Sequence, residues 1–341
     1  MKNTGKIGLL LILLFLCLGL FFYTKQQNKT VKTPLPRAGT AEEGKAAALL
    51  APLPAEQEKQ DSGKKSGGKT RINGKANTKS RPQEKDSSVW VKILNYHAIF
   101  PEAYLKSEDP KLNRFTKPSD RKLIVSAENF EKQMDFLSKN YKVVSFSDFA
   151  ERIEKKQPYG ENAVIITFDG ADETIYKIAY PVLKKYNLPA TLFLHINALK
   201  LDKTAMKWDT IKLLHDEGLM EIESHSISHP HLNRMLKNET QEAYEARIRK
   251  ELVDSKNIIE EKLNKKVLYF AYPYGGYNAT VIGLLKESGY KASVTVQWDK
   301  NTVFTNPYAL RRRGVFNDHT LKKFEEIFTV KVKDDPREYA D

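Results

Sequence analysis

Apolar positions follow two regimes along this chain. Near the start, Ile7 to Tyr23 is an unbroken apolar or glycine run of 17 residues, with Lys2 and Lys6 before it and Lys25 just after. That is near the lower length limit for a helix crossing a bilayer. No small-x-small cleavage site follows closely, so the run reads as an uncleaved signal anchor. Lysines ahead of the span stay inside, which puts the rest of the chain outside the membrane. From Val89 onward, short apolar runs alternate with amphipathic stretches. Val91–Tyr96, Lys142–Phe146, Ala163–Phe168, Ala190–Ile196, Met220–Glu223, Val267–Tyr272, Ala292–Val296 and Leu310–Phe316 predict strands. Helical patterns lie between them. Ser126 caps a run through Leu137, Ser147 precedes Asp148–Lys155, and Asp318 caps His319–Phe328. Thr174–Tyr186 carries an apolar stripe, and Glu239–Leu263 is long and charged. Strands alternating with helices predict an α/β fold with a parallel sheet. Eight strands or slightly fewer in about 250 residues fit a closed or distorted (β/α) barrel better than an open sheet.

Composition separates the two regimes. From Thr24 to Ser88 aromatics vanish, and Lys, Gln, Gly, Ser, Ala and Pro dominate. Such a stretch cannot bury enough apolar surface to fold. The expected organisation is therefore a stub and anchor over 1–24, a disordered basic linker over 25–88, and one folded domain over 89–341. The linker holds 14 Lys and Arg against 7 Asp and Glu, so with Lys2 and Lys6 it supplies +9 of the net +13. The excess charge is thus mostly tether and does not argue for a nucleic-acid partner. As a coil the tether reaches on the order of 45 Å. Cys17 is the only cysteine and lies in the apolar run, which excludes disulfides, a cysteine nucleophile and a cysteine-based zinc site in the folded part.

Polar residues land where strands are expected to end. His97 follows the first strand, Asp169 follows Ala163–Phe168, His225 follows Met220–Glu223, and Pro273 and Tyr274 follow Val267–Tyr272. In an α/β barrel those ends converge on one mouth. His225 and His229 are four apart, a spacing that lets two imidazoles share one divalent metal. By itself the spacing is a weak signal, and two such histidines more often do no more than hydrogen-bond a backbone. Asp169 is also a reasonable helix-approach cap, His97 a core histidine, and Pro273-Tyr274-Gly275 an ordinary turn.

Taken in order, Thr167-Phe168-Asp169, the His225–His229 pair and Phe270-Ala271-Tyr272-Pro273-Tyr274-Gly275-Gly276-Tyr277-Asn278 resemble the motifs of the NodB-type polysaccharide deacetylases, carbohydrate esterase family 4. Tyr180-Pro181-Val182-Leu183 and Pro189-Ala190-Thr191-Leu192-Phe193 are similar to the helix and strand after that family's first motif. The resemblance covers about Val91 to Phe328. Ile93-Leu94-Asn95-Tyr96-His97, and Tyr272 where many members carry arginine, resemble the branch that deacetylates biofilm poly-β-1,6-N-acetylglucosamine. The resemblance implies a divalent metal, usually zinc, on His225 and His229. It implies Asp169 as general base, the Tyr274 backbone amide as oxyanion donor, and His97 as general acid, with His319 as the alternative acid.

One position departs from the pattern. The family's first motif has two adjacent aspartates, the second a metal ligand, and here Asp169 is followed by Gly170. Asp172 could swing in as the third ligand, water could fill the place, or the metal could be lost. The expectation is a metal-dependent hydrolase acting on an extracellular N-acetylglucosamine polymer, biofilm polymer first and peptidoglycan second. It is held at the membrane by its anchor, and polysaccharide synthesis or export machinery is a candidate partner. The rival is a sugar-binding or scaffold protein that kept the fold. Asn197, Trp208 and Asp209 are candidate mouth residues, Trp298 a candidate sugar platform, and one of Arg311, Arg312 and Arg313 a candidate orienter of a carboxylate.

Overall fold

A computed structural model describes residues 89–105 and 121–329. The predicted anchor and linker lie outside these residues. Among the described residues no helix is long and apolar enough to cross a membrane.

The chain opens with β1 (Val91–Tyr96), β2 (Ile99–Phe100) and α1 (Glu102–Leu105), followed by β3 (Val125–Ser126), α2 (Ala127–Asn140), β4 (Lys142–Val143), α3 (Phe146–Lys155) and β5 (Ala163–Gly170). A π-turn at Ile175–Ala179 leads into α4 (Tyr180–Tyr186), then β6 (Ala190–Leu194), α5 (Ala198–Leu201), α6 (Trp208–Asp216) and β7 (Met220–Ser224). Next come α7 (Gln241–Leu263), β8 (Tyr269–Ala271), α8 (Ala279–Glu287), β9 (Ala292–Val294), β10 (Arg312–Gly314) and α9 (Leu321–Thr329).

The main sheet runs β10-β1-β5-β6-β7-β8-β9, with β4 added on β5, and its strand pairs are parallel. Its two ends meet through Leu310, just ahead of β10. Leu310 N–H donates to Ser293 O at 3.0 Å and its carbonyl accepts from Thr295 N at 2.8 Å. The sheet is thus a nearly closed barrel, as the alternation of strands and helices predicts. Full burial of all six β1 residues follows, because both faces of a helix-covered parallel sheet are packed.

Side-chain parity explains where the barrel is apolar and where it is not. Alternate strand residues share a face. On the inner face, Val91 and Ile93 of β1, Ala163 and Ile165 of β5, and Phe193 of β6 form one apolar cluster with Phe146 and Phe149 of α3, which plugs the N-terminal end of the strands. Continuing along the same parity, the inner positions become Asn95 and His97, then Thr167 and Asp169, then His195. The interior therefore turns from apolar to polar toward the strand C-termini. The outer cluster packs Leu94, Tyr96, Ile166 and Phe168 against Phe130, Met134 and Leu137 of α2.

Several predicted boundaries move for identifiable reasons. Ser126 caps α2 as expected, its Oγ accepting from Asn129 N at 3.1 Å. The strand expected over Lys142–Phe146 stops at Val143, because Ser145 rather than Ser147 caps α3 and draws Phe146 into the helix. The helix expected over Thr174–Tyr186 contains a π-turn ahead of Pro181, whose ring nitrogen has no hydrogen to donate. The last helix starts at Leu321, leaving His319 before it.

Phe130 is fully buried, with its ring edge-on to Tyr96 at 5.3 Å. Phe130→Ala is expected to lower unfolding free energy by about 3–5 kcal/mol, read as a reduced urea midpoint with an unchanged slope.

Candidate active site

The polar strand ends open into a cavity of ≈ 940 Å³ lined by Asn95, His97, Asp169, Gly170, His195, His225, His229 and Tyr274, with an apolar flank that includes Val296, Trp298 and Phe316. Parity delivers the inner residues to this end. The two loops after β7 and β8 deliver His229 and Tyr274.

Asp169 is the centre of the arrangement. Arg312 of β10 grips it with two charge-assisted bonds, Nη1 to Oδ1 at 2.7 Å and Nη2 to Oδ2 at 2.6 Å. Asn95 Nδ2 adds a bond to Oδ2 at 3.2 Å. Arg312 is completely buried, and its remaining donors reach Thr295 O at 2.9 Å and Thr167 Oγ1 at 3.2 Å. Burial alone pushes the Asp169 carboxyl up. The Arg312 guanidinium, with the nearby imidazoles, outweighs it and holds the group well below the usual carboxylate range. Arg312 is thus the member of the Arg311-Arg312-Arg313 run that orients a carboxylate.

His225 follows β7 and lies within 3.9 Å of the same carboxylate, Nε2 to Oδ2. Its Nδ1 sits 2.8 Å from the Ala271 carbonyl, which only accepts, so Nδ1 carries the proton and Nε2 presents a lone pair. His229 Nε2 points at that lone pair from 3.0 Å. Burial lowers the affinity of both rings for a proton, His225 to about 3, so both are neutral at pH 7. The turn between them is not a plain helical turn. Ser226 and His229 both have positive φ, 67° and 58°. Glu251 of α7 holds the turn, one oxygen accepting from Ile227 N and Ser228 N at 2.9 Å each and the other from Ser228 Oγ at 2.5 Å. Ser226 Oγ accepts from His229 N at 3.0 Å.

The pair offers two neutral nitrogen donors that fit two corners of a zinc site. Among the described residues, no group of three His, Cys, Asp or Glu stands ready to hold an ion. Gly170 lines the cavity with φ +108°, and a Cβ added there would meet nothing within 4 Å. Asp172 is placed elsewhere, its Oδ1 accepting from Thr174 N at 2.9 Å and Thr174 Oγ1 at 2.6 Å.

The other candidates divide. His97 lines the cavity with its Nδ1 buried and unpartnered, and burial lowers it to about 4 against the pull of Asp169. Tyr274 has φ 59°, and its ring stacks on His231 at 4.2 Å and meets His229 edge-on at 4.5 Å. Trp298 is on the cavity wall, with the Arg313 guanidinium 3.5 Å from its ring centre. His319 accepts from Phe316 N at its Nδ1, at 3.4 Å, and Asn197 N–H donates to Ile227 O at 2.9 Å; these two, Trp208 and Asp209 do not line the cavity. In the sequence His195 is hidden, because it sits inside an ordinary strand pattern. Its inward parity, two after Phe193, is the signal that places it.

Arg312→Met removes the guanidinium and leaves Asp169 buried and unpaired, which is expected to cost about 3–5 kcal/mol. Because the folded carboxyl is depressed, its contribution is present above the unfolded value near pH ~4 and lost as pH falls toward the folded one. In the variant the acid-unfolding midpoint, followed by circular dichroism, therefore moves to higher pH.

Comparison with known proteins agrees with this fold. Residues 156–293 match the family model for polysaccharide deacetylase. The chain is 31% identical over 243 residues to the poly-β-1,6-N-acetyl-D-glucosamine N-deacetylase of Staphylococcus aureus, covering 68% of this chain and 82% of that one. Among solved structures it is similar to the deacetylase PplD of Streptococcus pyogenes, at TM-score 0.59 and 23% identity over 70% of this chain and 98% of that one. It is also similar to IcaB from Ammonifex degensii, at TM-score 0.57 and 21% identity over 71% and 96%. With the barrel, the strand-end carboxylate and the histidine pair all in place, the chain belongs to the polysaccharide deacetylase family, whose chemistry is hydrolysis.

Proposed function

We propose that this chain removes N-acetyl groups from a β-1,6-linked N-acetylglucosamine polymer outside the cell. The convergence of Asp169, His225, His229, His97 and Tyr274 on one cavity carries this reading, and the substrate of the S. aureus relative points to the polymer. The segment Ile7–Tyr23 would hold the enzyme at the outer membrane face, with the basic tether giving it reach to polymer emerging from synthesis or export machinery.

His225 and His229 would hold a divalent metal, zinc first. Bound there, such an ion polarises the acetamide carbonyl and acidifies a water molecule. Asp169, kept ionised by Arg312, is in the form that accepts a proton and acts as base. The same ion pair makes it a weak base, so its value lies in position: Oδ2 is within 3.9 Å of the metal-side nitrogen of His225. Tyr274 sits in a turn of positive φ with its ring against His229, and its amide serves as oxyanion donor. His97 gives a proton to the departing amine, and negative charge gathering on the substrate beside it raises its proton affinity in the required direction. Trp298 and Tyr274, 40% and 59% exposed, offer apolar faces to sugar rings.

Gly170 favours a second reading, a protein that binds the polymer without turning it over. Acetate release from β-1,6-linked N-acetylglucosamine oligomers, measured with added zinc or cobalt, separates the two. The deacetylase reading expects turnover that falls about 10²- to 10⁴-fold in Asp169→Asn. Oligomer binding with no acetate released under either metal would replace it with the second reading.

A further inference from the structure

Three consecutive arginines at β10 meet three different partners. Arg311 pairs with Asp299 and Arg312 with Asp169. Arg313 meets a ring instead, its guanidinium carbon 3.5 Å from the centre of the Trp298 indole. Its Nε is buried without a hydrogen-bond partner, and burial lowers its proton affinity with no carboxylate to offset it. An arginine stays charged at neutral pH all the same. The register of β10 on β1, with Arg313 opposite Leu94, fixes where that charge sits.

Trp298 is thereby held at two points. The Asp299–Arg311 pair fixes the residue after it, and Arg313 covers one face of its ring. Trp298 lines the cavity and is 40% exposed, which leaves the other face for a ligand. A pyranose with equatorial substituents presents C–H groups on its faces and stacks on such a ring. Its 2-substituent then lies about 7–8 Å from the guanidinium, since 3.5 Å on one side of the indole adds to a stacking distance of about 3.5–4 Å on the other. An acetamido group there is neutral. A free amine there is an ammonium, and it gains little from the indole because it lies beyond the ring rather than over it. Repulsion at that distance weakens binding about 3-fold at the dielectric of water and about 40-fold at the value for a protein surface. The cavity lining does not cancel this field, because Asp169 is neutralised by Arg312 and Asp202 is followed by Lys203.

We infer that Arg313 makes the Trp298 face a subsite for an uncharged, N-acetylated sugar and turns away one whose amine is already free. Arg313 is then a specificity-determining residue that acts through the indole. A sugar next to a deacetylated one is a poorer substrate, so acetyl groups leave at scattered rather than adjacent positions. The inference rests on the N-acetylglucosamine polymer reading.

Calorimetric titration of the full chain tests it, in chelator to stop turnover and at about pH 6, where such amines are protonated. A β-1,6-linked N-acetylglucosamine hexamer is compared with one in which alternate sugars carry free amines. The acetylated hexamer is expected to bind about 3- to 40-fold more tightly, and the preference to shrink as salt rises from about 0.02 to 0.5 M. Arg313→Lys, which keeps the charge, retains the preference, and Arg313→Gln levels it. No preference in the parent, or one that salt does not change, overturns the inference, and that measurement needs no variant to fold. So does an Arg313→Gln chain that keeps the parental preference. Both results leave the deacetylase reading to its own acetate assay. A parent that binds neither hexamer removes the subsite, and with no acetate released it removes the polymer reading as well.

Discussion

The buried pair between Arg312 and Asp169 is the contact on which both the barrel and the site depend. Arg312 lies on β10 and Asp169 on β5, with β1 between them in the sheet. The guanidinium also bonds to the Thr295 carbonyl, just past β9, where the two ends of the sheet meet. One side chain thus ties together three separate parts of the ring. A fully desolvated arginine is tolerable only because its donors are met by a bidentate carboxylate, a carbonyl and a hydroxyl. The same contact fixes the charge state and orientation of a carboxylate that lines the cavity. Stability and chemistry are therefore not separable at this pair.

Much of this was legible from residue order. Alternating strand and helix patterns gave the barrel, and the polar residues after four strands gave its mouth. What the pattern could not resolve was local competition. Ser145 and Ser147 are both plausible caps two residues apart, and the one with an amide in reach took the helix. Pro181 sits in a good apolar stripe, so the stripe predicts a helix correctly but is silent about the turn the missing N–H forces.

The site shows the same division. His225, His229, Asp169 and His97 are recognisable because polar residues after strands are conspicuous. Arg312 was visible only as one of three arginines, and inward parity was needed to choose among them. His195 was invisible because its neighbours Leu194 and Ile196 make it look like an interruption in a strand. Asp172 looked available by distance along the chain, yet a threonine two residues on engages its carboxylate first.

Gly170 carries a consequence for the rim of the cavity. With φ at +108°, the backbone there has settled where a residue bearing a Cβ is strained, although the space beside it is open. A side chain at this position therefore needs a reshaped strand end as well as the room that is already there. Backbone conformation and free volume set opposite limits at the same point on the cavity rim, and it is the backbone that decides what the rim can carry.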